Sequence, residues 1–405
     1  MRNIIDYAQG LKSYSFDQVF FKDLDVLALT EVAYLPFEQI ITEGEITLEK
    51  LAQYYTTLNG EKGEILSVIT TPRIDLLRIL GRSARYGTIE AFDFINKIDS
   101  NIERQFSAIT YRLGEKKYLV VFRGTDENLI GWKEDFHMTY MDRVPAQKNA
   151  KKYLKKVLRE LDGDFILTGH SKGGNLAAYA ASQVNPLLQE RIKKIYSYDA
   201  PGLNKAIIES DGYKAIANKI QHYIPQGSIV GMMLEIPKQM AIVKSTALGG
   251  LAQHDTFSWQ IEGDSFVLLD SLNPDSLQTD KTLKNWVRST SDEELKDFFD
   301  LFFGLVLDAG ITSIDDFSKI SNVRKVLEIF KNANALSDEE REMLTRLTSL
   351  LVDMRVQSWK DDISLPNLSE IGKDIRENLS RWSKQLPFGQ SDSDKTEDST
   401  SDVQE

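Results

Sequence analysis

The sequence predicts an α/β fold, a mostly parallel sheet flanked by helices, with a helical extension behind it. Three observations carry that prediction. Continuous apolar runs such as Tyr118-Leu-Val-Val-Phe122 suit strands buried on both faces. Such runs alternate with helical patterns through the middle of the chain, the signature of a doubly wound parallel sheet. The run Phe165-Ile-Leu-Thr-Gly-His-Ser171-Lys-Gly-Gly-Asn-Leu-Ala-Ala-Tyr-Ala180 sets Gly169-x-Ser171-x-Gly173 between a strand-like and a helix-like segment. That is the layout of a nucleophile elbow, which specifies the α/β-hydrolase type of sheet.

The elements follow in order. Residues 15–37 carry Val26, Leu29, Val32 and Ala33 at helical spacing and predict one amphipathic helix. Residues 45–100 read as helical in pieces. Gln105 to Arg112 and Lys117 to Phe122 flank the turn Leu113-Gly-Glu-Lys116, a hairpin signal. Ala146 to Leu161 is a helix with Ala150, Tyr153, Leu154, Val157 and Leu161 on one face. Phe165 to Leu167 is the next strand, and Asn175 to Val184 a small-residue helix that packs closely on the sheet. Strands follow at Lys194 to Tyr198, Lys219 to Ile224 and Ala241 to Lys244, and Phe257 to Leu269 reads as a hairpin turning at Glu262-Gly-Asp264.

After about residue 280 the strand signals stop. Ser291-Asp-Glu-Glu294 and Ser337-Asp-Glu-Glu340 are capping boxes that open helices. Leu295 to Leu307 is apolar nearly all round and is expected to be buried. Ile371, Ile375, Leu379 and Trp382 form a narrow stripe on a further helix. The division expected is a hydrolase-like domain over 1–275, a helical extension over 276–388 and a disordered acidic tail over 389–405.

Composition narrows the function classes. The chain has 405 residues and a net charge of -12, which argues against nucleic acid as a partner. It has no cysteine, which excludes disulfides and thiolate metal sites and fits a reducing cytoplasm. The N-terminus lacks an apolar h-region, and no run approaches the roughly 18 residues of a membrane span. No His-Glu-x-x-His, Asp-rich loop or phosphate loop is present, so no metal and no cofactor is expected.

A serine hydroxyl is a weak nucleophile at neutral pH and needs a general base. With four histidines the base is found by elimination. His170 lies inside the elbow, His222 within a strand, and His137 before the nucleophile. His254, in Ala252-Gln-His-Asp-Thr-Phe257, follows the core strands and suits the order serine, acid, histidine. The N–H of Lys172, directly after Ser171, is expected to donate to the oxyanion of the tetrahedral intermediate.

Phe122-Arg-Gly-Thr125, Trp132, Asp135, the elbow and Tyr198-Asp-Ala-Pro-Gly202 together resemble the class 3 (fungal-type) triacylglycerol lipases. Ser15-Phe-Asp-Gln-Val19, Leu24 to Phe37, Ile224-Pro-Gln-Gly-Ser-Ile-Val-Gly231 and Gln253-His-Asp255 look like one bacterial branch of lipase-like proteins of unknown function. The resemblance covers roughly residues 15–270 and implies a second oxyanion donor at Thr125. It also places the triad aspartate where this chain has Ser228. Asp199, at the end of the strand after the nucleophile strand, is the leading substitute, with Asp211 and Asp255 behind it.

The function expected is therefore serine ester hydrolysis of a lipid or another acyl ester by Ser171, His254 and Asp199. The missing aspartate at 228 motivates the alternative, an inactive binding or scaffold protein on the same fold. Lys172 beside the nucleophile suits either an anionic substrate or a solvated charge. Gly231 to Gly250 is apolar enough to cover a site. The Ile371–Trp382 stripe suits docking on the core, on a partner or peripherally at a membrane, and its mixed charges favour protein.

Overall fold

The computed structural model describes residues 2–42, 44–59, 70–99, 104–125, 129–138, 140, 141, 143–237, 239–247, 252–274, 276, 277, 284, 287, 290–308 and 310. The expected helix start at Ser337, the Ile371–Trp382 stripe and the acidic tail lie outside them.

The N-terminal third supplies α1 (Ile4–Leu11), α2 (Asp23–Val32), β1 (Ile46–Thr47), α3 (Leu48–Asn59), α4 (Thr70–Gly81) and β2 (Glu90–Asp99). The single helix expected over 15–37 is replaced by α2 alone. Its start is fixed at Lys22, whose backbone N–H donates to Asp25 at 2.8 Å. Nor is α2 amphipathic, because every residue from Leu24 to Val32 is buried. Its two interior carboxylates are paired: Asp25 with Arg85 at 2.7 Å and Glu31 with Arg73 at 2.8 Å. The helical reading of 45–100 missed β2. Its alternation is broken by a bulge between Phe92 and Ile95, where Asp93 has φ 52°, so a period of two is not visible along it.

The hairpin β3 (Arg104–Gly114) and β4 (Lys117–Phe122) forms as expected. Then come α5 (Leu129–His137), α6 (Pro145–Glu160), β5 (Asp164–His170), α7 (Lys172–Ser182), α8 (Pro186–Glu190), β6 (Ile192–Tyr198), α9 (Lys205–Ile208) and α10 (Asp211–Lys214). They are followed by β7 (Ile220–Pro225), β8 (Met240–Val243), β9 (Ile261–Glu262), β10 (Ser265–Phe266), β11 (Leu268–Leu269) and α11 (Asp292–Asp308). Ser291 caps α11 reciprocally with Glu294. The long hairpin expected over 257–269 shrinks to β9 and β10, because Thr256–Ser258 is a 3₁₀ turn capped by Asp255.

Among the described residues one sheet runs in the order β1-β2-β3-β4-β5-β6-β7-β8-β11. Pairings from β4 through β8 are parallel, and those on either flank are antiparallel. This is the α/β-hydrolase-type sheet the sequence predicted, flanked by helices on both faces.

Side-chain alternation explains the two layers. Leu119 and Val121 of β4 face a core shared with α1 to α4, whereas Tyr118, Val120 and Phe122 face one shared with α6 and α7. Each large side chain buried this way stabilises the fold by roughly 1.5–3 kcal/mol. Among the described residues no helix is long and apolar enough to cross a membrane.

Candidate active site

The parallel strands end together, and the predicted site residues leave those ends. β4 and β5 pair up to Phe122 and Gly169, so Thr125 and Ser171 emerge side by side. Ser171 joins β5 to α7 with φ 56° and ψ -137°, a conformation costly for any residue with a side chain. Its N–H donates to Tyr198 O of β6 at 2.9 Å, which anchors the turn to the neighbouring strand. The flanking glycines are required by space: a Cβ on Gly169 would strike the backbone of Gly173, and one on Gly173 would strike Phe122 O.

One strand further on, Asp199 ends β6 with φ 42° and is fully buried. Its Oδ2 accepts from His254 Nδ1 at 2.6 Å. A carboxylate can only accept, so this contact places the proton on Nδ1 and leaves Nε2 of His254 as the basic nitrogen. The other carboxylate oxygen accepts from the Ser228 hydroxyl, and from Gly231 N–H at 3.1 Å. Ser228 thus stands at the end of β7, where the resemblance places an aspartate, and turns its hydroxyl to the carboxylate on β6. The other two candidate acids lie elsewhere. Asp211 is exposed on α10, 3.9 Å from Lys214, and Asp255 caps the next turn by accepting from Phe257 N–H at 3.1 Å.

His254 is held from a second side. His170, the residue before the elbow serine, donates from Nε2 to His254 O at 2.9 Å, and the two rings lie 4.6 Å apart. The other nitrogen of His170 lies 3.2 Å from Glu31 Oε1. Burial alone would raise the Glu31 carboxyl, but Arg73 and His170 outweigh it and hold its pKa at about 2. Tyr34 hydroxyl accepts from Gly124 N–H at 3.2 Å and donates to His170 O at 3.1 Å, tying the Thr125 loop to the elbow. Sequence reasoning misses this α2–α4 network, since Glu31 and Arg73 look like ordinary helix-surface charges.

His222 is structural, as expected: it accepts from Ser197 at 2.9 Å and donates to Gly231 O at 3.3 Å, and burial lowers its pKa.

Lys172 departs from both sequence readings. It is neither solvated nor placed to meet an anionic substrate. Its side chain is fully buried, with Nζ 3.1 Å from both Glu134 Oε2 and Asp135 Oδ1. Burial would lower its pKa, but the two carboxylates of α5 raise it above the ordinary lysine value. Asp135 also accepts from the Thr125 hydroxyl. The segment Gly231 to Gly250 does not lie wholly over the site either, because β8 in its middle is part of the sheet. Among the described residues no group of three or more His, Asp or Glu side chains could hold a metal ion.

Residues 80–304 match the family model described as Mbeg1-like. No curated protein matches the chain. An MDLA variant from Penicillium cyclopium is 12% identical with a TM-score of 0.34, over 60% of this chain and 83% of that one. Lipase II from Rhizopus niveus is 15% identical with a TM-score of 0.33, over 61% of this chain and 85% of that one.

Proposed function

The chain belongs to the Mbeg1-like family, which is related to the class 3 lipases, and we propose that it is a serine ester hydrolase acting on a lipid or another acyl ester. The observation that carries the reading is the pairing of the fully buried Asp199 with His254, with a serine held at φ 56° at the end of the adjacent strand. Strained backbone at a functional residue is stored only where the surroundings enforce it. Here both Ser171 and Asp199 have it, at the ends of adjacent strands.

Each residue then has a role. Ser171 Oγ attacks the acyl carbonyl and passes its proton to Nε2 of His254. Asp199 keeps the imidazole in the Nδ1–H form and stabilises the imidazolium. The N–H groups of Lys172 and Thr125 hold the oxyanion. His254 returns the proton to the leaving alcohol, and water cleaves the acyl-enzyme by the same route. Serine at 228, the ground for an inactive scaffold, loses force because its hydroxyl supports a carboxylate one strand away.

The test is hydrolysis of short acyl nitrophenyl esters together with labelling by a fluorophosphonate. Wild type is expected to turn over and to be labelled at Ser171, and Ser171→Ala to lose several powers of ten in kcat. Equal rates in the two proteins, or no labelling of Ser171, would favour the scaffold reading.

A further inference from the structure

Helix α5 begins four residues after Thr125 and meets the rest of the molecule with two opposite faces. Glu134 and Asp135 lie on one. They hold Lys172 Nζ at 3.1 Å each, and Asp135 also takes the Thr125 hydroxyl. One carboxylate therefore touches both residues whose N–H groups would form the oxyanion hole. Glu134 is in turn fixed by Gln105 N–H at 3.0 Å and Ala146 N–H at 2.8 Å.

On the other face are Lys133 and Phe136, with Tyr140 just beyond the helix. α11 occupies it. Phe299 stacks on Phe136 with centroids 4.9 Å apart and on Tyr140 at 6.2 Å, and Phe303 lies 5.8 Å from Phe136. Asp300 pairs with Lys133 at 2.6 Å. Aromatic pairs of this kind add to plain area burial, and the ion pair fixes the rotation of one helix against the other.

From this juxtaposition we infer that α11 is a positioning element of the oxyanion hole, with Phe299 and Asp300 acting through α5 on Thr125 and Lys172. The inference rests on the hydrolase reading above. The chemistry follows from how such a hole works. Its donors stabilise charge that exists only in the transition state, and only if they are held at the right place beforehand. Thr125 leaves the end of β4 without being part of a strand, so its placement depends on side-chain tethers. The Asp135 tether is as firm as the seat of α5. α11 supplies part of that seat from a region more than 150 residues further along the chain. Loosening α5 should lower kcat and leave substrate binding nearly intact, because ground-state contacts do not use the oxyanion donors.

The experiment uses the full chain and four variants: Phe299→Ala, Phe299→Leu, Thr125→Val, and Phe299→Ala with Thr125→Val. Turnover of a nitrophenyl butyrate and affinity for a trifluoromethyl ketone, whose adduct places an oxyanion in the hole, are read alongside thermal melting. Phe299→Ala is expected to lower kcat by roughly 10- to 100-fold with KM within about twofold, and to weaken the ketone by the same factor. Phe299→Leu, which refills most of the volume, should recover most of the loss. The two single effects should not multiply in the double variant, because both act on the Asp135–Thr125 bond.

Unchanged kcat in a melting-competent Phe299→Ala protein overturns the inference, and so do fully multiplicative effects. If Phe299→Ala does not fold, Asp300→Asn replaces it, with an expected loss of about threefold in kcat at constant KM. No loss there also overturns the inference. A wild type without Ser171-dependent turnover overturns the hydrolase reading and this one with it. A normal wild type beside an indifferent α11 overturns this one alone.

Discussion

Replacing Asp199 by asparagine keeps the size of the side chain and reverses one hydrogen bond. In the native site Asp199 Oδ1 accepts from Gly231 N–H and from Ser228, and Oδ2 accepts from His254 Nδ1–H. An asparagine has one acceptor end and one donor end. Turning its nitrogen toward Gly231 would set two donors face to face in a fully buried place, a penalty of roughly 1–3 kcal/mol. The amide oxygen therefore keeps the Gly231 side, and the nitrogen faces His254. The imidazole must then present Nδ1 as an acceptor and carry its proton on Nε2, the nitrogen that should receive the serine proton. Wrong-tautomer substitutions of this kind cost roughly a thousand- to ten-thousand-fold in kcat, or about 4–5 kcal/mol of transition-state stabilisation. The assay is steady-state hydrolysis of a nitrophenyl butyrate together with the rate of fluorophosphonate labelling at Ser171, each beside a thermal melt. Asp199→Asn should melt near the wild type and fall by that factor in both rates. Retention of activity within about tenfold of the wild type would refute the assignment of the acid.

Three further outcomes follow from the same geometry. Ser228→Ala removes one of the hydrogen bonds to the Asp199 carboxylate and leaves Gly231 N–H in place, so kcat should fall by about tenfold with little change in KM, read in the same assay. Lys172→Met leaves Glu134 and Asp135 buried without their cation, and urea unfolding should show a loss of roughly 3–5 kcal/mol; a change confined to KM for anionic esters would instead support a substrate role. Glu31 has a folded pKa of about 2 against an ordinary 4.5, so its contribution of roughly 3 kcal/mol is complete above pH 4.5 and is lost as pH falls toward 2. The urea midpoints of wild type and Glu31→Gln should accordingly differ at pH 7 and converge as the solution is acidified.

Much of the parallel core could be read along the chain because its strands are short apolar runs and its helices have one clear face. Phe165 to Leu167 and Ala150 to Leu161 are examples: burial there is decided by neighbours close in sequence. α2 and β2 depart from the sequence reading for separate reasons. Asp25 and Glu31 look like surface positions until Arg85 and Arg73, more than forty residues later, are seen to neutralise them. β2 hides its period behind the bulge at Asp93. At the site, the elbow was visible because steric demands fix Gly169 and Gly173 locally. The partners of Lys172 were not, because a lysine beside a serine carries no mark of the two carboxylates that will bury it.

The exchange of an aspartate for Ser228 has a geometric rationale in the sheet itself. β6 and β7 are adjacent parallel strands, paired from Ile195 with Ile220 to Tyr198 with Tyr223. Neighbouring strands lie about 4.8 Å apart, a gap that an aspartate side chain spans together with one hydrogen bond. A carboxylate at the end of either strand can therefore meet a histidine that hangs over both, provided the backbone turns it upward. Asp199 has that turn in its φ of 42°, and Asp199 N–H donates to Tyr223 O at 2.7 Å to hold it. The neighbouring strand end then needs only a group that donates to the carboxylate. A serine does so, whereas a second carboxylate at 228 would sit against Asp199 and repel it. The two positions are thus alternatives for one charge, and the serine at 228 is what an acid on β6 requires of its neighbour.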